Sequence, residues 1–281
     1  MNSAITTTAS DRQDRPTAKP ASLADKAFSV QQAFTRIATP GSVHTLRAIA
    51  EEAGLDDATV HRILQTGVSR GVFEQVGRGR YRLGTGTARA GLHAMAEAPG
   101  AASTHSTLVT LHQATGGLAL LYVLSPFGGA RRLCTDYAIG DRDPAEVGMT
   151  AEDVVTVSRS LRTGASGRAI LAYLPQRIRD LVLAEDVPPT AGPGVIRDND
   201  ALAASLGEVR RLGFAAGRQE CMTGWDSVAA PVFWDDTIMG SVLLLRPSNE
   251  MPEDLRPTIY HTRRAAEEIS QLTLSPATQT G

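Results

Sequence analysis

The side chains most suited to reading another molecule lie in Gly54-Leu-Asp-Asp-Ala-Thr-Val-His-Arg-Ile-Leu64. Val60, Ile63, Leu64 and Val68 recur at helical spacing and form one apolar stripe. Asp57, Ala58 and Arg62 project from the N-terminal part of such a helix, away from that stripe. Their chemistry suits base edges in a DNA major groove. Arg62 offers two donors to guanine O6 and N7, Asp57 can accept from the N4 amine of cytosine, and Ala58 can meet a thymine methyl. Thr59, His61 and Gln65 are candidates for phosphate or secondary base contacts. Asp56 has a different task as the N-cap, accepting from the free N–H of residue 58 or 59 at the positive end of the helix dipole. The alternative for Asp57 is a tolerated, solvent-facing carboxylate.

Two aspartates at the tip of a DNA-facing helix repel phosphate, so cations elsewhere must supply the attraction. Arg47, Arg70, Arg78 and Arg80 are the candidates. Between residues 70 and 89 five arginines face one glutamate. Residues 1–98 hold 12 Lys/Arg against 9 Asp/Glu, whereas residues 99–281 hold 16 against 21. A basic N-terminal module joined to a larger acidic one is an electrostatic footprint for nucleic acid.

Other chemistries find little support. Cys134 and Cys221 are far apart, with no Cys/His cluster, which disfavours a disulfide framework or a zinc site and points to a reducing cytoplasm. Asp136, Asp141 and Asp143 lack calcium-loop spacing, and His105 and His112 lack a third metal ligand. The glycines of Gly84-Thr-Gly-Thr-Ala-Arg-Ala-Gly91 are out of register for a dinucleotide fingerprint. Cys221 has no histidine placed beside it to make a nucleophile. The expectation is no enzyme, no cofactor and no metal. Nothing approaches the ~18 apolar residues of a membrane helix.

The elements that must position these groups follow from the periodicity. Residues 1–21 form a polar tail, and residues 22–37 place Leu23, Ala27, Val30, Phe34 and Ile37 on one helical face, stopped by Thr39-Pro-Gly41. A second helix ends at Gly54 and the third follows at once. The stretches 71–76 and 80–83 then read as short strands joined by Gly77-Arg-Gly-Arg80. Helix, helix, tight turn, helix and hairpin make a winged helix-turn-helix over residues 22–83. Residues 84–98 continue as a linker helix, with Leu92, Met95 and Ala96 as an apolar edge for a second subunit and Pro99-Gly100 as a boundary. Residues 99–274 mix helices with strands, including 117–124, 130–139 and a hairpin turning at Asp235-Asp236, and end in an amphipathic helix before a tail at 275–281. Residues 166–184 and 198–213 also read as helical. The class is α+β.

The stretch from Thr45 to Gly84, together with Leu161-Arg-Thr-Gly-Ala-Ser-Gly-Arg-Ala-Ile-Leu-Ala-Tyr-Leu-Pro175 and the run from Arg218 to Leu245, resembles the IclR family of bacterial transcriptional regulators. The resemblance spans roughly residues 23–272. It implies a GAF-like effector-binding domain, a homodimer or dimer of dimers on a palindromic operator, and a small-molecule effector that is usually an organic acid. It also implies that the pocket is built partly from Thr163–Arg168, with Glu220–Trp225 opposite. Ala165, Ser166, Gly167, Cys221 and Thr223 are the implied lining residues, each with an ordinary loop or helix cap as its alternative. The family often carries proline or a basic residue where Asp56 and Asp57 stand, so this chain departs from the pattern at the helix tip. Two other readings stand beside this one. In the first, residues 99–281 are an enzyme; in the second, the winged helix binds protein. The absence of a convergent catalytic set weighs against the first, and Arg62 with the arginine-bearing wing against the second.

Overall fold

The computed structural model describes residues 21–37, 43–96, 101–125, 130–140 and 159–272. The stop at Thr39–Gly41, the boundary at Pro99-Gly100, Asp141 and Asp143, and nearly all of both tails lie outside the described residues. The chain divides into two compact units, with the break between Thr87 and Ala88.

The first unit is a helical trio closed by a small sheet. Helix α1 (Leu23–Arg36) starts with a capping box, in which Ser22 Oγ accepts from the Asp25 N–H and Asp25 accepts from the Ser22 N–H. Strand β1 (His44–Thr45) leads into α2 (Leu46–Ala53), which Thr45 caps and Gly54 terminates at φ +65°. That left-handed glycine turns the chain into α3 (Asp57–Ser69). Val30, Phe34, Ile49, Val60, Leu64, Phe73 and Tyr81 form one buried cluster beneath the three helices. Gly67 sits inside α3 because any Cβ there would fall 2.1 Å from the Phe73 ring. Strands β2 (Phe73–Gly77) and β3 (Arg80–Leu83) make the expected hairpin. The two-residue β1 was not read from the sequence. It pairs with β3 through His44–Tyr81, giving the order β1-β3-β2. Helix α4 (Thr85–Ala96) follows, and the side chains of Leu92, Met95 and Ala96 are not among those described.

The second unit is a six-stranded antiparallel sheet with helices on both faces. Its strands are β4 (Leu118–Ser125), β5 (Arg131–Ala138), β6 (Arg159–Ser160), β7 (Ala215–Arg218), β8 (Trp225–Trp234) and β9 (Thr237–Pro247), ordered β6-β5-β4-β9-β8-β7. Alternation along the strands splits the core. Ala119, Leu121, Val242 and Leu244 pack with Leu108, Leu111, Ala265 and Ile269 of helices α5 (Ala101–Thr115) and α9 (Arg256–Leu272). Leu118, Leu120, Leu243 and Leu245 pack on the other face, with helices α6 (Gly164–Leu171), α7 (Gln176–Leu183) and α8 (Asn199–Leu212). The single helical stretch expected over 166–184 is in fact two helices, because Pro175 ends one run and serves as N-cap of the next. The β8–β9 hairpin turns at Asp235-Asp236, where Asp235 takes φ +55°. Strands β6 and β7 are four residues or fewer, too short for an alternating pattern to declare them. The fold is α+β, as the element pattern indicated.

Candidate functional site

Helix α3 presents a clean outer face. Asp57, Ala58, His61, Arg62 and Gln65 are exposed, while Val60, Ile63 and Leu64 are buried. The helix is held from below by its cap: Asp56 Oδ1 accepts from the Thr59 N–H at 2.8 Å. That bond, with a second from the Thr59 hydroxyl, holds the Asp56 carboxyl below the usual carboxylate range. Asp56 therefore serves the helix, as the spacing predicted. Thr59, a candidate for DNA contact, is 9% exposed and its hydroxyl bonds the Asp56 carboxylate, which gives it a part in the cap. Gln65 is exposed, yet its amide donates to Tyr81 Oη at 3.2 Å and Gln75 Oε1 at 3.4 Å. It ties the helix to the hairpin, and any outside contact must share or displace those bonds.

The arginines around α3 fall into two classes. Arg62, Arg78 and Arg80 are exposed, and among the described residues none has a carboxylate in salt-bridge reach. Arg82 is spoken for, since Glu74 takes its Nε and Nη2 at 2.9 Å each. Arg47 pairs with Glu51 at 2.8 Å, but its side chain is 82% exposed. A pair so open to water is weak and can exchange Glu51 for a phosphate. Arg70 is the exposed C-cap of α3. The face thus offers one cation on the helix, Arg62, and two at the hairpin tip, all uncommitted. Asp57 opens the same helix as Arg62, and its charge is felt by Arg47.

The second unit buries three arginines, Arg132, Arg162 and Arg168, and one carboxylate, Glu220. Helix α6 begins at Gly164, two residues earlier than the sequence suggested, so Ser166 and Gly167 lie inside its first turn. Ala165, Ser166 and Gly167 are all buried, and the N-cap residue Thr163 makes no side-chain cap bond. Gly164 has φ +77°, and a Cβ on it would lie 2.2 Å from Cys221 Sγ, which brings the two implied walls together. Arg168 extends from α6 to Glu220, with Nη2–Oε1 at 2.5 Å and Nε–Oε2 at 3.3 Å. Burial pushes the Glu220 carboxyl up, while Arg168 and the Gly164 N–H pull it back. Thr223 is exposed on the turn between β7 and β8, so the structure does not gather it with the buried Ala165, Ser166 and Gly167 and the half-buried Cys221. Trp225 is half-buried and packs against the main core, the commoner fate of an aromatic.

Arg132 of β5 was missed by the sequence reading. It is 1% exposed. Its Nη1 donates to the Ser160 carbonyl, its Nη2 lies 3.6 Å from Cys221 Sγ, and its guanidinium stacks 5.4 Å from the Tyr122 ring centroid. The available signal was an arginine on the same strand face as the buried Cys134, where alternation calls for an apolar residue. The Cys134 thiol is pushed up to about 12 by burial and accordingly stays protonated. No group of three metal-capable side chains occurs among the described residues, nor is any helix there long and apolar enough to cross a membrane.

Comparison with known proteins places this architecture. The model of the IclR helix-turn-helix domain matches residues 23–77, and the model of the bacterial transcriptional regulator IclR C-terminal domain matches residues 152–271. The Probable HTH-type transcriptional regulator ArcR of Halobacterium salinarum is 27% identical over 216 residues, covering 74% of this chain and 77% of that protein. Among solved structures, an IclR transcriptional regulator from a Silicibacter species superposes with a TM-score of 0.56 at 24% identity, over 92% of this chain and 98% of that one. An IclR homologue from Microbacterium hydrocarbonoxydans, complexed with 4-hydroxybenzoate, gives 0.54 at 20% identity, over 91% and 100%. The Thermotoga maritima IclR gives 0.55 at 21%, over 89% and 98%. With its winged helix and its sensor half matched in the same order, the chain belongs to the IclR family of bacterial transcriptional regulators.

Proposed function

We propose that this regulator reads a palindromic operator as a homodimer or dimer of dimers, and that a small organic acid bound in the C-terminal half alters its hold on DNA. The observation that carries the DNA reading is the outer face of α3, where Arg62 is exposed and uncommitted and Asp57 opens the helix. Arg62 selects guanine by two hydrogen bonds, Asp57 favours a C·G pair by accepting from cytosine N4, and Ala58 faces a thymine methyl. His61 makes secondary contacts. Arg78 and Arg80 at the hairpin tip, with Arg47 released from Glu51, supply the phosphate contacts that the aspartates do not. Two copies reach half-sites about one helical turn apart.

The effector reading is supported by the buried first turn of α6 and by the 4-hydroxybenzoate bound to the Microbacterium relative. Ala165, Ser166, Gly167 and Cys221 line the ligand in this reading, and Thr223 stands at its rim. The acid acts by population shift, favouring one spacing of the two DNA-reading arms over another. The protein is a regulator without catalysis, working in the cytoplasm. The test is sequencing of genomic fragments retained by the purified protein at fixed salt, beside an Arg62→Ala control. One inverted-repeat motif, enriched by the natural protein and lost in the control, is the expected result. Uniform retention by both proteins contradicts it.

A further inference from the structure

Two positive features meet at the start of α6, and the geometry points to Arg132 as the residue that receives the anionic group of the effector. This deepens the effector reading above and rests on it. The guanidinium lies against the first helical turn. A Cβ on Gly164 would come 3.4 Å from Arg132 Nη2, and one on Gly167 would come 2.8 Å from Nη1. At 167 a side chain would crowd the arginine and the Leu161 carbonyl, so that position must be glycine-sized; at 164 the close neighbour is Cys221 Sγ, and the arginine lies at van der Waals distance. A helix N-terminus carries positive partial charge and repels a cation. An arginine buried against that end is stable only with negative charge nearby.

The protein supplies part of that charge. Glu220 is the nearest buried carboxylate, but Arg168 holds both of its oxygens and the Gly164 N–H donates to it as well. Its field reaches Arg132 without a hydrogen bond between them. Two buried guanidiniums thus share one carboxylate. Among the described residues the direct partners of Arg132 are a carbonyl, a thiol and an aromatic ring, none of them a carboxylate. Its Nε has no hydrogen-bond partner among the described residues, and neither does Ser166 Oγ in the same turn. Arg162 Nε and Arg246 Nε are unmatched as well, so what distinguishes this spot is that a second buried orphan, the Ser166 hydroxyl, lies in the helical turn the guanidinium packs against. A carboxylate is the fitting chemistry, because it accepts from a planar guanidinium by two parallel bonds and from a hydroxyl and helix N–H groups as well. Cys221, 3.6 Å from Arg132 Nη2, borders the same spot.

The experiment titrates the full-length protein with acetate, pyruvate, benzoate and 4-hydroxybenzoate, each beside its neutral amide. Binding is read by calorimetry and by the melting temperature. At least one acid binds and raises the melting temperature, while its amide binds at least about tenfold more weakly, the scale of a hydrogen bond to a charged group. Arg132→Gln brings that acid down to the level of its amide, and Arg132→Lys retains part of the difference. If Arg132→Gln does not fold, Arg132→Lys and Ser166→Ala carry the test, each weakening the acid several-fold and leaving the amide unchanged. Equal binding of acid and amide, acid binding untouched by these substitutions, or no response to any of the four acids overturns the inference. Enrichment of genomic fragments is measured in parallel without acid. Enrichment that persists while the acid response fails leaves the DNA reading intact and removes only this assignment.

Discussion

The two halves of this chain handle charge in opposite ways. On α3 and the wing, Arg62, Arg78 and Arg80 are exposed and unpaired among the described residues. In the second unit, Arg132, Arg162 and Arg168 are at most 7% exposed, and each is held by several protein atoms. A face that must meet a large polyanion keeps its cations in water, where desolvation is deferred until binding. The second unit holds these three cations fixed and dry, as the proposed discrimination of a small anion requires, and there an unmatched charge has a large effect on stability. The comparison therefore predicts that losing an arginine costs binding in the first unit and folding in the second.

The sharpest test of that contrast is Arg168→Met. It leaves Glu220 buried without its partner, and unfolding in urea should show a loss of about 3–5 kcal/mol in the second unit. A loss near zero would place the pair among those a hydrophobic side chain replaces freely. Next in size is Arg62→Ala, which should weaken the selected DNA by about 1–3 kcal/mol while leaving the melting temperature unchanged. Smaller again are Arg78→Ala and Arg80→Ala. Each should lower the log–log salt slope of DNA binding by about one, with similar losses on matched and unmatched DNA. Asp56→Ala should have the smallest effect on binding contacts, lowering the melting temperature of the first unit by a few degrees. If it instead changed base preference at constant stability, Asp56 would be a reader and not a cap.

The same contrast explains what the sequence could reveal. The proposed base-reading residues Asp57, Ala58 and Arg62 lie within one helix, so the 3.6-residue period separates outer from inner positions, and Asp56 announces the cap by its place before the apolar stripe. A small polar residue at N3, as Thr59 is, serves a cap and a groove equally well on paper, and its burial and its bond to Asp56 were not legible in the sequence. The buried cluster has no such local signature. Arg132, Ser166 and Cys221 come from β5, α6 and the turn before β8, and only the sheet order and the fold of α6 onto it bring them together. Glycines at 164 and 167 hinted at close approach, but not that an arginine from another strand was the approaching group. The short strands β1, β6 and β7 were illegible for a related reason, since they are defined by their partners and not by their own residues.

The most direct test of the central claim, that the exposed face of α3 reads bases, is a double-mutant cycle. It compares the natural protein and Arg62→Ala on the enriched fragment and on the same fragment with its facing G·C pair replaced by A·T, at one salt concentration. The account predicts that the natural protein loses about 1–3 kcal/mol on the altered DNA and that Arg62→Ala loses almost nothing further. Equal losses for both proteins would mean that Arg62 contacts only the backbone, and that base recognition by this helix lies with other residues.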